Sequence, residues 1–350
     1  MKVNTKILVA PLNWGLGHAT RCIPVIRELL NQSFEVIIAS DGVSLELLKI
    51  EFPKLVFYDL PSYRISYDSH FVWSMAKKLP KILGAIEKEK TAVEKIVSDN
   101  GIDVIISDNR YGCHSSKAKN IFICHQHYLL LPWWMSAFSP FINALHSKYL
   151  NKFDEHWIPD LPEQSLSGKL SCTTLKDKRF IGILSRFCFK PLEKIYDIIA
   201  IVSGPEPQRT HFENILWREM EQSELKTILV CGKVESEQTI FQSRNATKVN
   251  FMSSDELERT INSSGLVICR SGYSSVMDLA KLNKRVIFIP THGQTEQEYL
   301  AKRFRDLRVA PFFSQSQFNL PESYKISAKF SGFSMRTDSA ELLQEAIKSI

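Results

Sequence analysis

Short, near-continuous apolar runs alternate with amphipathic helical stretches along most of the chain, and that alternation admits few folds. KILVAPL (6–12), FEVIIAS (34–40), KLVFYDL (54–60), IDVIISD (102–108), NIFICHQ (120–126) and EHWIPD (155–160) are rich in β-branched and aromatic residues. Runs of this kind must be covered on both faces, the condition of a parallel sheet between helix layers. Between the first two, Arg21 to Asn31 sets Ile23, Ile26, Leu29 and Leu30 on one helical face, completing a βαβ unit. The pattern restarts with FIGIL (180–184), DIIAIVS (197–203), KTILVCG (226–232), ATKVNFM (246–252), LVICRS (266–271) and RVIFIP (285–290), separated by amphipathic stretches near 209–222, 254–263 and 274–282.

The expected fold is therefore α/β, two Rossmann-like domains facing across a cleft. The first covers 1–162, a polar linker with Gly168 covers 163–178, and the second covers 179–337. A last helix, 338–350, has Leu343, Ala346 and Ile347 at helical spacing and must dock, with the N-terminal domain as the expected partner. Open sheets of this type bind ligands outside the carboxyl ends of their strands.

Composition narrows the function classes. With 44% hydrophobic residues among 350 and only Gly 14 and Pro 15, disorder and low complexity are excluded. The net charge of +6 suits phosphate-bearing ligands or an anionic surface but is too small for a nucleic-acid binder. Seven scattered cysteines, none in a CxxC, read as reduced thiols and give no metal site. The N-terminus enters a strand at once, without an apolar leader, so the expected location is cytoplasmic. The segment Leu129 to Leu145 is uncharged but carries Pro132 and Pro140 and is barely long enough to span a bilayer, so it is not read as transmembrane.

Three strand-to-helix turns hold the residues that suit chemistry. In NWGLGHATR, Gly15 and Gly17 permit close backbone approach ahead of a helix N-terminus, and His18 beside them is a base suited to a hydroxyl proton. The spacing is not GxGxxG, which argues against a dinucleotide. In IVSGPEPQRTHFE, Ser203 and Gly204 end a strand and Arg209 lies near the next helix N-terminus, a position favouring phosphate. In LVICRSGYSSVMDLAKLNKRVIFIPTHGQTEQEYLAKRF, a strand ends at Arg270, Ser271 and Gly272. Ser274 then opens a helix carrying Asp278, and Gln294, Glu296 and Gln297 lie in a polar stretch after the following strand. Backbone amides there suit a diphosphate, and the carboxylate suits a vicinal diol.

The CRSG stretch, the acid at Asp278 and the Gln-rich loop after Pro290 resemble the C-terminal domain of the MurG-type N-acetylglucosaminyltransferases, glycosyltransferase family 28, which have the GT-B architecture. The resemblance implies that Asp278, where the family usually has Glu, contacts the donor ribose. It places Gln297 on the donor sugar with Glu296 beside it in place of a second glutamine. Phe251 and Met252 in VNFMSSDEL match the uracil-recognising loop, the Ser203–Gly204 turn matches the diphosphate loop, and Arg186 matches an arginine near the diphosphate. His18 matches the histidine that ends the N-terminal glycine loop.

On the acceptor side stand Asp108 and Asn109 at the end of one strand and His125 at the end of the next, with loop-capping roles equally open. The stretch 128–145, with Trp133, Trp134, Phe138 and Phe141, is either a proline-broken core helix pair or an exposed lip for a lipid-linked acceptor. Lys77, Lys78, Lys81, Lys88 and Lys90 shortly before it either meet anionic headgroups or form a solvated helix face. The expected activity is metal-independent, inverting transfer of a hexose or N-acetylhexosamine from a UDP-sugar, as substrate rather than cofactor, to a glycan or lipid-linked acceptor, in the cytoplasm with an optional peripheral contact on the inner membrane face. Two rivals remain: a nucleotide-sugar hydrolase or UDP-sugar 2-epimerase, and a non-catalytic UDP-sugar-binding regulatory subunit.

Overall fold

The computed structural model describes residues 5–63, 71–163, 165–233, 235, 237–334 and 340–350, without the side chains of 71–80. The side chains of Lys77 and Lys78, and the start of the expected helix at Asp338, lie outside what is described. The chain forms two compact units, one of residues up to Arg186 together with the C-terminal helix, the other from Phe187 to Thr337.

The first unit runs β1 (Lys6–Pro11), α1 (Leu16–Asn31), β2 (Glu35–Ser40), α2 (Gly42–Glu51), β3 (Val56–Asp59), α3 (Phe71–Asn100), β4 (Val104–Asp108), β5 (Lys119–Ile123), α4 (Ser139–Leu150), β6 (Glu155–Ile158) and β7 (Lys178–Phe180). Its sheet has the order β3-β2-β1-β4-β5-β6-β7 and every pair is parallel. All five residues of β4 are buried, as are the last five of β1, which is why these runs read as continuous apolar sequence. Because β1 has β2 on one side and β4 on the other, the strand order reverses between β1 and β4, and their carboxyl ends define a crevice.

The second unit runs β8 (Tyr196–Ile201), α5 (Gln208–Glu221), β9 (Thr227–Val230), β10 (Ile240–Ser243), β11 (Ala246–Val249), α6 (Ser254–Asn262), β12 (Ser264–Cys269), α7 (Tyr273–Lys281), β13 (Val286–Phe288), α8 (Thr295–Asp306) and α9 (Leu320–Ser327). Its sheet order is β10-β11-β9-β8-β12-β13, parallel except for the β10–β11 hairpin. Ile198, Ala200, Leu229, Ile268 and Ile287 on the strands pack with Phe212, Leu216 and Met220 of α5. Here the order reverses between β8 and β12. The last helix, α10 (Ala340–Lys348), buries Leu343, Ala346 and Ile347 within the first unit, and Gln32 Nε2 at the end of α1 donates to the Gln344 carbonyl at 3.3 Å.

Three sequence expectations change. FIGIL does not open the second sheet: Phe180 pairs with Ile158, so β7 closes the first. The stretch 163–178 is not a free linker, because the buried Asp160 carboxylate gathers the amides of Leu161, Leu166 and Ser167 at 2.7–3.2 Å and pins the loop to the first unit. The units therefore meet in sequence at Arg186–Phe187, not at 162–179. β10 is absent from the sequence pattern because its residues are largely exposed on a sheet edge and carry no continuous apolar signal.

Candidate functional site

Helix α1 begins at Leu16, five residues before the sequence pattern suggests, with Gly15 at φ 76° turning the chain out of β1. That early start places His18 in the first helical turn and Arg21 three residues on, along the same side of the helix. Both meet Asp108, the last residue of β4, across the crevice where the strand order reverses. Arg21 grips both Asp108 oxygens, Nε donating to Oδ2 at 2.5 Å and Nη2 to Oδ1. His18 Nδ1 lies 3.0 Å from Asp108 Oδ1 and 2.9 Å from Arg21 Nη2. Arg21 Nη1 reaches His125 Nδ1, just beyond β5, at 3.1 Å, and the Cys22 thiol donates to Asp108 Oδ2 at 3.4 Å.

Burial ranks these side chains by role. Asp108 has no exposed surface and Arg21 2%, while the His18 side chain keeps 14%, so the imidazole is the part of the Arg21–Asp108–His18 group that an incoming molecule can touch. Burial and the Arg21 guanidinium hold the His18 imidazole below its ordinary pKa against the opposing pull of Asp108. Although burial alone opposes ionisation, Arg21 and His18 hold the Asp108 carboxyl well below the usual carboxylate range. At neutral pH the site is thus an ion pair carrying an uncharged imidazole, an arrangement fit to take a proton. Asp108, expected on the acceptor side, has its carboxylate bonded to Arg21 and His18, while Asn109 forms the turn after it at φ 57°. The sequence pattern starts the helix at Arg21, and the i, i+3 spacing from His18 is the signal that links the two residues.

A second ionic network underlies the first. Arg110 has no exposed side-chain surface and donates to Glu89 Oε1 at 2.5 Å, to Asp41 Oδ1 at 2.9 Å, and to the carbonyls of Pro11 and Pro61. Tyr63 and the Gly112 amide complete Glu89 at 2.7 and 2.8 Å. This network fixes the loops after β1, β2 and β4.

Nearby, three further histidines are buried. Burial and the neighbouring His156 push His127 down to about 3, and burial pushes His146 down to about 4. Tyr111 and the His146 imidazole hydrogen-bond at 3.0 Å. Above pH 6.5 these rings are neutral folded or unfolded. As pH falls, the unfolded chain takes up protons that the folded rings refuse, so stability is lost from about 6.5 downward until the folded values are reached. Melting temperatures measured from pH 7.5 to 4.5 are expected to fall below 6.5; a flat profile would show that these rings do not stay neutral in the fold.

In the second unit, the loops after β12 and β13 are tied together. Ser271 Oγ donates to the Gln297 carbonyl at 2.7 Å, and the Thr291 amide donates to Gln297 Oε1 at 2.8 Å. Gly272 caps α7, whose first turn presents Ser274 and, one turn on, the half-buried Asp278. Arg270 is buried to 2% exposure, stacked 3.9 Å over Phe212 and donating to the Ile289 carbonyl at 2.9 Å. Burial lowers it to about 10, and its guanidinium braces α5 and the end of β13 from inside. Ser203 and Gly204 are exposed after β8, and Arg209 at the start of α5 is committed to Glu206, to Glu213 at 3.1 Å and to the Cys231 carbonyl at 3.1 Å. An anion at Arg209 must therefore compete with Glu206. Phe251 and Met252 are half-buried after β11, with the Phe251 carbonyl accepting from Gln238 at 2.9 Å. Glu296 is half-buried in the first turn of α8. Arg186, half-buried, ends the first unit instead of lying in the second.

The aromatic stretch does not form a core. Trp133 is 85% exposed and Phe141 72%, with Trp134 and Phe138 also exposed, so the core-helix reading of 128–145 does not hold. Lys81 and Lys88 are exposed and Lys90 partly so. Among the described residues no helix is long and apolar enough to cross a membrane, and no three His, Cys, Asp or Glu side chains gather as ligands for a metal ion.

Residues 202–338 match the model of the glycosyltransferase family 28 C-terminal domain. The chain is 23% identical over 329 residues to an uncharacterized glycosyltransferase of Methanosarcina acetivorans, covering 84% of this chain and 81% of that one. It is 27% identical over 141 residues to the UDP-N-acetylglucosamine–N-acetylmuramyl-(pentapeptide) pyrophosphoryl-undecaprenol N-acetylglucosamine transferase of Campylobacter jejuni, a match spanning 37% of this chain and 41% of that relative. Among solved structures, the glycotransferase of kitacinnamycin superposes with a TM-score of 0.67 at 13% identity, over 99% of this chain and 95% of that one.

Proposed function

We propose that this chain, whose residues 202–338 match the glycosyltransferase family 28 C-terminal domain, is a MurG-like GT-B glycosyltransferase that moves a hexose or N-acetylhexosamine from a UDP-sugar to a hydroxyl of a glycan or lipid-linked acceptor, without a metal ion and with inversion. The observation that carries the reading is His18 held 3.0 Å from Asp108 at the reversal of the first sheet, combined with a family 28 domain whose loops after β8 and β12 suit a nucleotide diphosphate. The printed name of the Campylobacter relative supports UDP as the nucleotide and a pyrophosphoryl-linked lipid as the kind of acceptor.

His18 takes the acceptor hydroxyl proton as the oxygen attacks the anomeric carbon from the face opposite the diphosphate. The new C–O bond forms as the bond to the diphosphate breaks, and the electron pair leaves with UDP. Amides around Ser271, Gly272 and Ser274 and the dipole of α7 stabilise the charge that develops on the leaving group. Asp278 holds the ribose diol, and Glu296 and Gln297 face the sugar.

A thermal-shift panel with UDP, GDP, CDP, dTDP and their sugars, with magnesium or EDTA, tests the donor. A ligand at a hundred times its dissociation constant adds about 2.7 kcal/mol. Stabilisation by UDP and a UDP-sugar in EDTA is expected; stabilisation by another nucleotide alone would overturn the uracil assignment, and a requirement for magnesium would overturn metal independence.

The exposed Trp133, Trp134, Phe138 and Phe141 fit a peripheral contact with the membrane that holds a lipid-linked acceptor. Changing Trp133 and Phe141 to Ser is expected to abolish sedimentation with anionic phospholipid vesicles and leave the melting temperature unchanged, because neither side chain is buried. Undiminished vesicle binding would remove the lipid contact from this segment.

A further inference from the structure

Resting on that reading, we propose that Arg21 is a positioning residue of the transfer reaction, one that sets the protonation of two histidines at once: it keeps His18 uncharged and places the single ring proton of His125 on Nε2.

A guanidinium has five N–H donors and no acceptor. Arg21 Nη1, 3.1 Å from His125 Nδ1, can therefore only donate, and that nitrogen must offer its lone pair. The proton of a neutral His125 then lies on Nε2. At His18, Nδ1 has two partners that ask for opposite states, Asp108 Oδ1 for a proton and Arg21 Nη2 for a lone pair. Either arrangement leaves the ring neutral, and the one with Nδ1–H on Asp108 keeps the Nε2 lone pair free to take a proton. Both ring nitrogens protonated would set an imidazolium 2.9 Å from a guanidinium.

The device works through the carboxylate between them. Without Arg21, a buried Asp108 beside His18 would draw a proton onto the ring and hold it there. With both Asp108 oxygens occupied by Arg21, the ring stays neutral and available. Once His18 has accepted the hydroxyl proton, the new imidazolium donates Nδ1–H to Asp108 while the guanidinium repels it, which favours release of the proton before the next cycle. The groups facing this site are Asp108 at the end of β4, Arg21 and Cys22 on α1, and Cys124 and His125 beyond β5; the Cys22 thiol is pushed up by burial and stays uncharged.

The test has two independent readouts. Long-range proton–nitrogen correlation spectra of the wild-type protein with labelled histidine are expected to show His125 unprotonated at Nδ1 and His18 titrating below its ordinary value. In Arg21→Met, the acid limb of the kcat/KM profile and the His18 titration are expected to move up together by about one pH unit or more, while Arg21→Lys, which keeps the charge and loses the fork, lies nearer the wild type. A His125 protonated on Nδ1 in the wild type, or a folded Arg21→Met protein with an unmoved limb, would overturn the proposal. Should Arg21→Met not fold, the wild-type spectra and Arg21→Lys still decide it. The histidine spectra do not depend on turnover, so failure to find a UDP-sugar substrate would sink the functional reading and leave the protonation assignment to be judged by the spectra.

Discussion

His18→Ala is expected to lower kcat by about 10²–10⁴ with affinity for UDP nearly unchanged, since a general base contributes that much to the transition state and little to ground-state binding of the nucleotide. The substitution is also structurally mild. His18 is the partly exposed side chain on the Asp108 pair, and removing it leaves both Arg21 bonds to Asp108 in place. Turnover with an acceptor, measured beside UDP titration calorimetry, checks both halves. A variant that turns over within tenfold of wild type would take His18 out of the base role; one that loses UDP affinity in parallel would make it a donor ligand.

The largest expected loss of stability lies one layer below. Arg110→Met removes the cation shared by Glu89 and Asp41 while leaving both carboxylates in place. Glu89 has no exposed surface, and its remaining donors, Tyr63 and the Gly112 amide, are neutral. Breaking one side of a buried pair costs about 3–5 kcal/mol, because the surviving charge cannot be solvated. For units of this size that corresponds to a fall in melting temperature of roughly 10 °C. Arg110→Met combined with Glu89→Gln should recover part of the loss, since it removes a buried charge together with its partner. Denaturant titration of the three proteins measures this, and a single variant as stable as the wild type would show that the carboxylates reach water without Arg110.

What could be read from the sequence follows how the information is stored. The strands β1, β4, β8, β9 and β12 announce themselves because both faces are buried and the apolar run is unbroken. The strand β10 does not, since an exposed edge places no such demand on its residues. The end of the first unit was misplaced because Gly168 and the polar residues of 163–178 have a loop's composition, whereas their order comes from Asp160, whose carboxylate binds amides up to seven residues away. His18 and the turns after β8 and β12 were legible as turn chemistry next to strand ends. The pairing of His18 with Asp108 was not, because the two are 90 positions apart and meet only through the parallel register of β1 and β4, which sets Pro11 against Asp108. Arg21 was missed for a smaller reason: with α1 started at Arg21 instead of Leu16, nothing places it one turn from His18.

The two crossings of the chain between its units bear on how the protein is made. The chain leaves the first unit after Arg186 and returns to it only with α10, whose Leu343, Ala346 and Ile347 fill that unit and whose end is held by Arg179 Nη1 donating to Ser349 Oγ at 2.6 Å. On the ribosome, β1 to β7 emerge first but wait for their final helix while every strand of the second unit is synthesised. The earlier-made half is thus the later to be completed, and a nascent chain stalled before residue 340 would carry a finished second unit beside a first one with the surface meant for α10 still open.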